Sequence, residues 1–368
     1  MNLFDGLGRL FFIFSSRSKK KHPKFSHALV IRLDHLGDIF FATAIPKLLK
    51  ENLGINQITF LTSSVGALLL QNNPFVDQVV CYDAPWFRRS RKNGGESYWR
   101  TIQRLKKMKI DLALSLRGDL RENFLAFFSG SGERIGYGVT GGGFFLTREL
   151  PYRWQAHERE HSLDILKLIG IHEPILEPKI YFSEAEEKSF SLKRASWGLD
   201  DTTPIGVQLE AGSRAKEWPE ENIRSFLSLA AQKLGRRKFI FVGTDKHRFS
   251  WLDKFLQENP ALGRVNLIGQ TNLRELFYCL KHLSAFIGPD SGPAHVAASF
   301  KIPTLFLYSG TNVFEQWKSL EESADFLRNA VSCSPCHLTD CSVEGHPCMS
   351  GIESAPVVDW ILERTRER

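Results

Sequence analysis

The sequence lacks any uninterrupted run of about 18 apolar residues, so no segment is predicted to span a membrane. It also lacks the pattern of a secretory signal, in which positive charge precedes the apolar stretch. Here an apolar stretch over residues 3–14 precedes a basic stretch over residues 17–24. We therefore expect residues 1–25 to form a basic amphipathic segment that lies on an anionic membrane surface. The alternative is a solvated tail that packs on a neighbouring domain.

Cysteine is scarce, with six residues in 368, and its distribution argues against a disulfide framework. Cys81 and Cys279 stand alone in apolar surroundings, which predicts buried thiols. The other four crowd together near the end of the chain, in the spacing Cys333-x2-Cys336-x4-Cys341-x6-Cys348. We interpret them as a reduced cluster. Their spacing is irregular for a structural zinc site, so no cofactor is predicted to be required, and zinc at these four residues is left as an alternative.

Acidic residues are in the minority: 48 Lys and Arg against 41 Asp and Glu give a net charge of +7. This excess favours an anionic partner, which composition alone leaves open among nucleic acid, phosphorylated substrates and acidic membranes. The length fits two domains of ordinary size.

Short apolar runs alternate with amphipathic helical patterns through both halves of the chain. In the first half they are "HALVIRL" (27–33), "QITFLTS" (57–63), "VDQVVCYD" (76–83) and "IDLALSL" (110–116). The pattern restarts with "PIGVQLEAGS" (204–213), "RKFIFVGT" (237–244) and "SAFIGPD" (284–290). This alternation predicts an α/β fold of two doubly wound, Rossmann-like domains that face a central cleft, over residues 26–190 and 191–352, with a last helix over 353–368.

Two short motifs invite functional interpretations that their surroundings do not favour. His157, Glu158 and His161 match the H-E-x-x-H zinc protease pattern, but the neighbouring sequence is polar and favours an ordinary helix start. Gly136, Gly138 and Gly141 match a dinucleotide fingerprint, but no buried strand is evident before them, so a loop is expected.

The stronger signals lie where predicted strands end. Asp38 follows the first strand, where its carboxylate is suited to take a proton from a substrate hydroxyl. Asp34 is a rival for this role, and capping the first helix is the structural alternative for Asp38.

Two stretches of the second half suit a phosphorylated ligand. Ser213 and Lys216, with Gly212 and Arg214, follow its first strand and offer free amides and positive charge to a diphosphate. In "GPDSGPAH" (288–295) a strand runs into a helix whose N-terminal amides form an anion site. There Asp290 is suited to accept hydrogen bonds from sugar hydroxyls, and His295 to donate to a phosphate or sugar oxygen; helix capping is the alternative for Asp290.

These stretches, in this order, resemble the ADP-heptose:lipopolysaccharide heptosyltransferases, glycosyltransferase family 9. The quoted matches are "VIRLDHLGDIFFATAIP", "HSLDILKLIG", "GSRAKEWPEENI" and "LIGQTNLRELFYCLKHLSAFIGPDSGPAHVAA". The resemblance implies a GT-B architecture with an N-terminal acceptor domain and a C-terminal nucleotide-sugar domain. It also implies that the last helix crosses back to the first domain.

The resemblance further implies roles for particular residues. Asp38 matches the base that deprotonates the acceptor hydroxyl, and Lys216 matches the lysine that meets the donor diphosphate. Asp290 matches the acid that holds the heptose, in one donor-binding turn with Ser291, Gly292 and His295. Basic residues of the acceptor half are expected to bind an anionic acceptor, above all Arg117 and Arg121, with Arg32, Arg88, Arg89, Arg91 and Lys92 as further candidates.

The function implied is inverting transfer of a heptose from ADP-heptose to a lipopolysaccharide inner-core acceptor, by a bacterial enzyme without a required metal. The expected partners are the nucleotide sugar, the anionic core precursor and a membrane surface, but not nucleic acid. The expected location is cytoplasmic, at the inner face of the inner membrane. Three alternatives stay open: a GT-B transferase that uses another nucleotide sugar, a nucleotide-sugar epimerase, and a nucleotide-sugar-binding protein that has lost turnover.

Overall fold

The structure is a computed structural model, and it describes residues 25–87, 97–197, 199, 204–235, 237–260 and 262–365. The chain divides into two compact units, Met1–Tyr181 and Phe182–Arg368. The predicted N-terminal segment (1–25) lies outside the described residues except for Phe25, and so do Arg88, Arg89, Arg91 and Lys92. Within the described part of the chain, no helix combines the length and the apolar character needed to cross a bilayer.

Unit 1 contains a sheet of six parallel strands, ordered β3-β2-β1-β4-β5-β6. The strands are β1 (His27–Ile31), β2 (Gln57–Thr62), β3 (Gln78–Cys81), β4 (Leu112–Ser115), β5 (Glu133–Tyr137) and β6 (Arg148–Leu150). The helices are α1 (Leu36–Ala42), α2 (Ile45–Leu53), α3 (Ser64–Leu70), α4 (Tyr98–Lys106), α5 (Leu120–Phe128) and α6 (Glu158–Lys167).

Strand β1 shows why this sequence forms a central strand. All five of its residues are buried, as a parallel strand covered by helices on both faces requires. Its side chains alternate between two apolar cores: Ala28 and Val30 enter one, and Leu29 and Ile31 enter the other.

Unit 2 repeats this topology with the order β12-β11-β10-β7-β8-β9, again all parallel. The strands are β7 (Ile205–Gln208), β8 (Lys238–Val242), β9 (Gly263–Asn266), β10 (Ala285–Pro289), β11 (Thr304–Tyr308) and β12 (Ala324–Arg328). The helices are α7 (Glu184–Lys193), α8 (Glu220–Lys233), α9 (Ser250–Glu258), α10 (Leu273–Leu280), α11 (Gly292–Ser299), α12 (Phe314–Trp317), α13 (Pro347–Ser350) and α14 (Ser354–Arg364). Both sheets have the Rossmann strand order, which confirms the predicted α/β class.

The division between the units falls earlier than the boundary predicted at residue 190, because α7 packs on unit 2. Phe190 of this helix contacts Tyr278 and Trp197, and Glu186 forms an ion pair with Arg274. The last helix, α14, packs on α8 within its own unit and places Val358 and Ile361 in the core of that unit.

Two local predictions were wrong. Cys81 is exposed, although Cys279 is buried as expected, because Cys81 ends strand β3 at the edge of its sheet. Gly136 lies in strand β5 rather than in a loop, paired with Ser115 of β4. A Cβ atom on Gly136 would stand 2.5 Å from the Ser115 carbonyl oxygen, so the glycine permits close approach of two strands.

Candidate functional site

The strand order of each sheet brings two strand ends together at a topological switch point. In unit 1 the neighbours at this point are β1 and β4, and in unit 2 they are β7 and β10. Ligands of open α/β sheets bind outside the carboxyl ends of such strands. Asp38 and Arg117 follow β1 and β4, whereas Lys216 and Asp290 follow β7 and β10, so each unit carries its candidates at its own switch point.

Asp38 is the third residue of α1, and its side chain does not cap the helix. The N-cap position is His35, and the carboxylate of Asp38 instead accepts a hydrogen bond from the Nη2 of Arg32 at 3.0 Å. This bond reaches Oδ1; among the described residues, none donates to Oδ2. The residue is only 7% exposed. One oxygen is thus held in place while the other stays available, which is the arrangement a general base needs.

Arg32 is the centre of a buried charge network. Its Nε donates to Asp34 Oδ1 at 2.7 Å, and its Nη2 donates both to Asp38 and to Glu158 Oε1, the latter at 2.9 Å. Its side chain is 4% exposed. These donors are directed at carboxylates inside the unit, so the structure buries Arg32 in this network, unlike the exposed Arg117 and Arg121.

Of the two arginines predicted to bind the acceptor, only Arg117 belongs to this network. Its Nη1 donates to Asp34 Oδ2 at 2.6 Å, and its guanidinium lies over the ring of Phe87. Arg121 forms two hydrogen bonds with the carboxylate of Asp119 and lies over the ring of Trp86. Both arginines keep more than a third of their side chains exposed, so an anionic ligand can still reach them.

Glu158 and His161, from the motif that resembles a zinc protease site, are buried residues of α6. The second carboxylate oxygen of Glu158 lies 3.2 Å from His161 Nδ1 and accepts from the hydroxyl of Tyr152 at 3.3 Å. His161 Nε2 lies 3.1 Å from the carbonyl oxygen of Arg153. His157 is the N-cap, so the predicted helix start is correct, and the polar residues that follow it are buried in the structure.

The network changes the acidity of its members in opposite directions. Burial and the Asp34 carboxylate raise the pKa of Asp38 to about 7, against the attraction of Arg32. Burial alone would also raise the pKa of Glu158, but Arg32 and His161 together lower it to about 2. Asp38 is therefore the basic carboxylate of the network, able to accept a proton near neutral pH.

Glu122, on α5, is a fully buried carboxyl whose oxygens have no hydrogen-bond partner within the described part of the chain. Burial and the nearby Asp34 carboxylate raise its pKa to about 8. In the unfolded chain the pKa of a glutamate is near 4.3, so the folded state binds the proton of Glu122 more tightly than the unfolded state does. The stabilisation that results is fully present below about pH 4.3. This contribution declines as the pH rises towards 8.

Replacing Glu122 by glutamine, Glu122→Gln, should remove this decline, because glutamine carries no titrating proton. The melting temperature of the variant relative to the wild type should rise between pH 5 and 8 by on the order of 5 °C. Calorimetry across this range measures the difference, with Glu160→Gln, a change of an exposed carboxyl, as the control. Parallel curves for wild type and Glu122→Gln would contradict the prediction.

In unit 2, the carboxylate of Asp290 lies between three donors. Lys216 Nζ donates to Oδ2 at 2.6 Å, Asn312 Nδ2 reaches the same oxygen at 3.3 Å, and His295 Nε2 lies 3.2 Å from Oδ1. Burial alone would raise the pKa of Asp290, but Lys216 and His295 hold it well below its usual range. Three predicted residues, Lys216, Asp290 and His295, are therefore brought together around one ionised carboxylate.

The helix α11 begins at Gly292, directly beside this carboxylate. Its N-cap is Ser291, not Asp290, and the Ser291 hydroxyl donates to Gln208 Oε1 at 2.7 Å instead of capping the helix. Gln208 belongs to β7, so this bond ties together the two strand ends at the switch point. The amides of the first turn of α11 remain at the carboxyl edge of the sheet, where a helix N-terminus favours anions.

Ser213 does not join the Lys216 cluster through its side chain. Its hydroxyl donates to the carbonyl oxygen of Thr339 at 2.8 Å, and the amide of Ala215 donates to the same oxygen at 2.9 Å. The turn that carries Lys216 is therefore supported by the cysteine-bearing segment near the end of the chain.

The four clustered cysteines are all free thiols: Cys333 is exposed, Cys336 and Cys341 are partly buried, and Cys348 is buried. Across the described residues, no group of three or more His, Cys, Asp or Glu side chains is arranged to hold a metal ion. The arrangement of these four cysteines therefore gives no support to the zinc alternative, although the other three thiols lie near enough to help raise the pKa of Cys348.

Sequence patterns alone do not identify several residues of the two sites. In the sequence, Glu158 and His161 are recognisable only as part of a metal-binding motif, and no sequence pattern marks Glu122 as part of a site. Asn312 and Gln208 do have a recognisable signal, because each lies at or just after the end of a strand at the same sheet edge. A search for polar residues at the end of every predicted strand, and not only in glycine-rich turns, identifies Asn312 and Gln208.

The fold and the two sites place the chain in the GT-B class of glycosyltransferases. A family model described as glycosyltransferase family 9 (heptosyltransferase) matches residues 98–346, so the chain belongs to this family and is a glycosyltransferase. A curated relative, the lipopolysaccharide core heptosyltransferase OpsX of Haemophilus influenzae, is 23% identical over 77% of this chain and 79% of that protein.

Solved structures of this family share the fold. A family 9 glycosyltransferase from Veillonella parvula superimposes with a TM-score of 0.76 at 18% identity, covering 93% of this chain and 98% of the other. The ADP-heptose lps heptosyltransferase II of E. coli gives a TM-score of 0.72 at 19% identity, covering 92% and 98%. The expected GT-B fold and family are thus confirmed.

Proposed function

We propose that the protein transfers a heptose from ADP-heptose to an inner-core acceptor of lipopolysaccharide, with inversion at the anomeric carbon. Membership of the family supports sugar transfer, and the names of its relatives support heptose and the lipopolysaccharide core. The observation that carries the mechanism is Asp38, a buried carboxylate with one anchored and one available oxygen.

In the proposed reaction, Asp38 takes the proton of the acceptor hydroxyl as that oxygen forms a bond to the anomeric carbon. The bond between this carbon and the diphosphate breaks at the same time, and ADP leaves with the electron pair. The acceptor oxygen attacks the face opposite to the leaving group, which inverts the configuration. A base whose pKa is about 7 accepts this proton well at neutral pH.

Unit 2 supplies the groups that stabilise the leaving diphosphate. The Lys216 ammonium and the amides at the start of α11, including Ser291 and Gly292, favour the negative charge that grows on the diphosphate in the transition state. Asp290 accepts hydrogen bonds from heptose hydroxyls, with His295 beside it, and Ser213 contributes to the same donor site. In this proposal these groups carry the charge without a divalent metal.

The acceptor is held by unit 1. Arg117 and Arg121 keep exposed guanidinium groups suited to the phosphates or carboxylates of a core precursor. Because such a precursor is attached to lipid, we further propose that the protein works at the inner face of the inner membrane, with residues 1–25 on the membrane surface.

A panel of nucleotide sugars tests the substrate. We expect the protein, incubated with a core-lipid acceptor and ADP-heptose, to give an acceptor one heptose heavier by mass spectrometry, and other nucleotide sugars to react at least about tenfold more slowly. Reactions without acceptor are the control. Free sugar or an epimerised donor as the only product would overturn the transferase proposal and favour the epimerase alternative.

A further inference from the structure

The buried pair Glu158–His161 on α6 has no place in the reaction described above, yet it is built into the surroundings of Asp38. Glu158 and Asp38 accept hydrogen bonds from the same nitrogen, Nη2 of Arg32, at 2.9 and 3.0 Å. Glu158 is about as buried as Asp38 itself. A buried carboxylate that shares one guanidinium nitrogen with a proposed base bears directly on where that base is held and how strongly it binds a proton.

His161 contacts an oxygen atom through each of its two ring nitrogens. Its Nε2 faces the carbonyl oxygen of Arg153, which can only accept, so Nε2 carries a hydrogen. Its Nδ1 faces Glu158, whose low pKa makes it an ionised carboxylate that also only accepts. The chain of contacts therefore runs from His161 through Glu158 and Arg32 to Asp38.

We propose that Glu158 and His161 are positioning residues for Asp38, which act through Arg32 to fix one oxygen of Asp38 and leave the other open to the acceptor hydroxyl. Glu158 anchors the guanidinium through the same nitrogen that donates to Asp38, and it takes part of the positive charge of Arg32. Without Glu158, Arg32 would be free to turn towards Asp38 and to neutralise it more fully. The assignment of Asp38 as base rests on the proposed function; the positioning itself does not.

The charges around Asp38 determine whether its pKa rises or falls when Glu158 or His161 is replaced. The charged groups that act on Asp38 are Arg32 and Asp34 after β1, Arg117 after β4, and Glu158 on α6. His161 and Tyr152 contact the far oxygen of Glu158. Asp34 and Glu158 favour the protonated form of Asp38, whereas Arg32 and Arg117 favour the ionised form. Removing the negative charge of Glu158 therefore makes Asp38 a weaker base. Removing the contact from His161, which lowers the pKa of Glu158, leaves the charge of Glu158 less compensated and makes Asp38 a stronger base.

The titration of Asp38 in the free, full-length protein tests the proposal without using the reaction. Aspartate labelled with 13C at the carboxyl carbon gives one signal for Asp38, assigned by its loss in Asp38→Asn. In Glu158→Gln we expect the pKa of Asp38 to fall by about one unit or more, and in His161→Gln to rise. The matched control is Asp164→Asn, which removes a carboxylate from the same helix outside the network and should leave the titration unchanged.

The pH dependence of transfer gives a second readout. In Glu158→Gln the acidic limb of the kcat/KM profile should move to lower pH by as much as the pKa of Asp38 falls. The value of kcat/KM that is reached above this limb should be lower than in the wild type. Folded variants in which the Asp38 titration does not move, or moves in one direction for both changes, would overturn the positioning role. If Glu158→Gln does not fold, His161→Gln alone still tests the proposal, because the pKa of Asp38 should rise in this variant. Absence of transfer by the wild type would refute the proposed function, while the titrations would still test the network.

Discussion

Replacing Asp38 by asparagine, Asp38→Asn, should lower the rate of transfer by about 10²- to 10⁴-fold while leaving donor binding intact. Asparagine keeps the size of the side chain and can still accept a hydrogen bond from Arg32, but it cannot take a proton. Donor binding should persist because the groups that we assign to it, Lys216 and Asp290, belong to the other unit. Calorimetric titration with ADP and single-turnover rates measure the two properties separately.

The wild-type pH profile belongs to the same prediction. A base must be ionised to act, so kcat/KM should rise with pH up to about 7 and level off above it, as the pKa of Asp38 requires. The Asp38→Asn variant should lose this limb together with most of its activity. Transfer at the wild-type rate by the folded variant would remove Asp38 from the mechanism, and Asp34 would become the candidate base.

The second large effect is expected from Lys216→Met, which removes the ammonium but keeps a side chain of similar length. We expect kcat/KM to fall by about 10²- to 10³-fold, because a preorganised cation at the leaving diphosphate contributes mainly in the transition state. Steady-state kinetics with ADP-heptose measures this loss. Lys233→Met, which removes an exposed lysine of α8 in the same unit, is the matched control.

Removing Lys216 also leaves Asp290 as a buried anion without its nearest cation. The free energy of unfolding should therefore fall by roughly 2–3 kcal/mol, less than for a fully orphaned charge because His295 and Asn312 still contact Asp290. Adding Asp290→Asn to Lys216→Met should recover stability but not activity. Recovery of both would mean that Lys216 serves only to compensate Asp290, and its role at the diphosphate would be refuted.

The residues of the donor site lie in two stretches that could be recognised in the sequence, because each follows a predicted strand. "GPDSGPAH" and "GSRAKEWP" each stand after a predicted strand, and the structure brings Lys216, Asp290 and His295 together from these two stretches. The sequence could not show that the first partner of Lys216 is Asp290 itself. That contact depends on β7 and β10 being adjacent in the sheet, which is a property of strand order and not of either stretch.

The unit 1 site shows the opposite case. The H-E-x-x-H stretch has polar neighbours, and polarity in a sequence normally indicates a solvated surface. The same residues are buried because Arg32, far away in sequence, supplies the compensating charge. Burial of a charged residue is decided by its partner, and no local pattern reveals a partner more than a hundred positions away.

What the sequence determined by itself was the alternation of strand and helix, the α/β class, the family, and the positions of Asp38, Lys216 and Asp290 at strand ends. These follow from hydrophobic periodicity and from local chemistry, which neighbouring residues specify. Only the tertiary structure decided which of the acidic and basic side chains share one buried network, that Arg32 faces inward, and that α7 belongs to the second unit. Each of these depends on contacts between residues distant in sequence, where the energy of a charge or an apolar surface is set by whatever the fold places beside it.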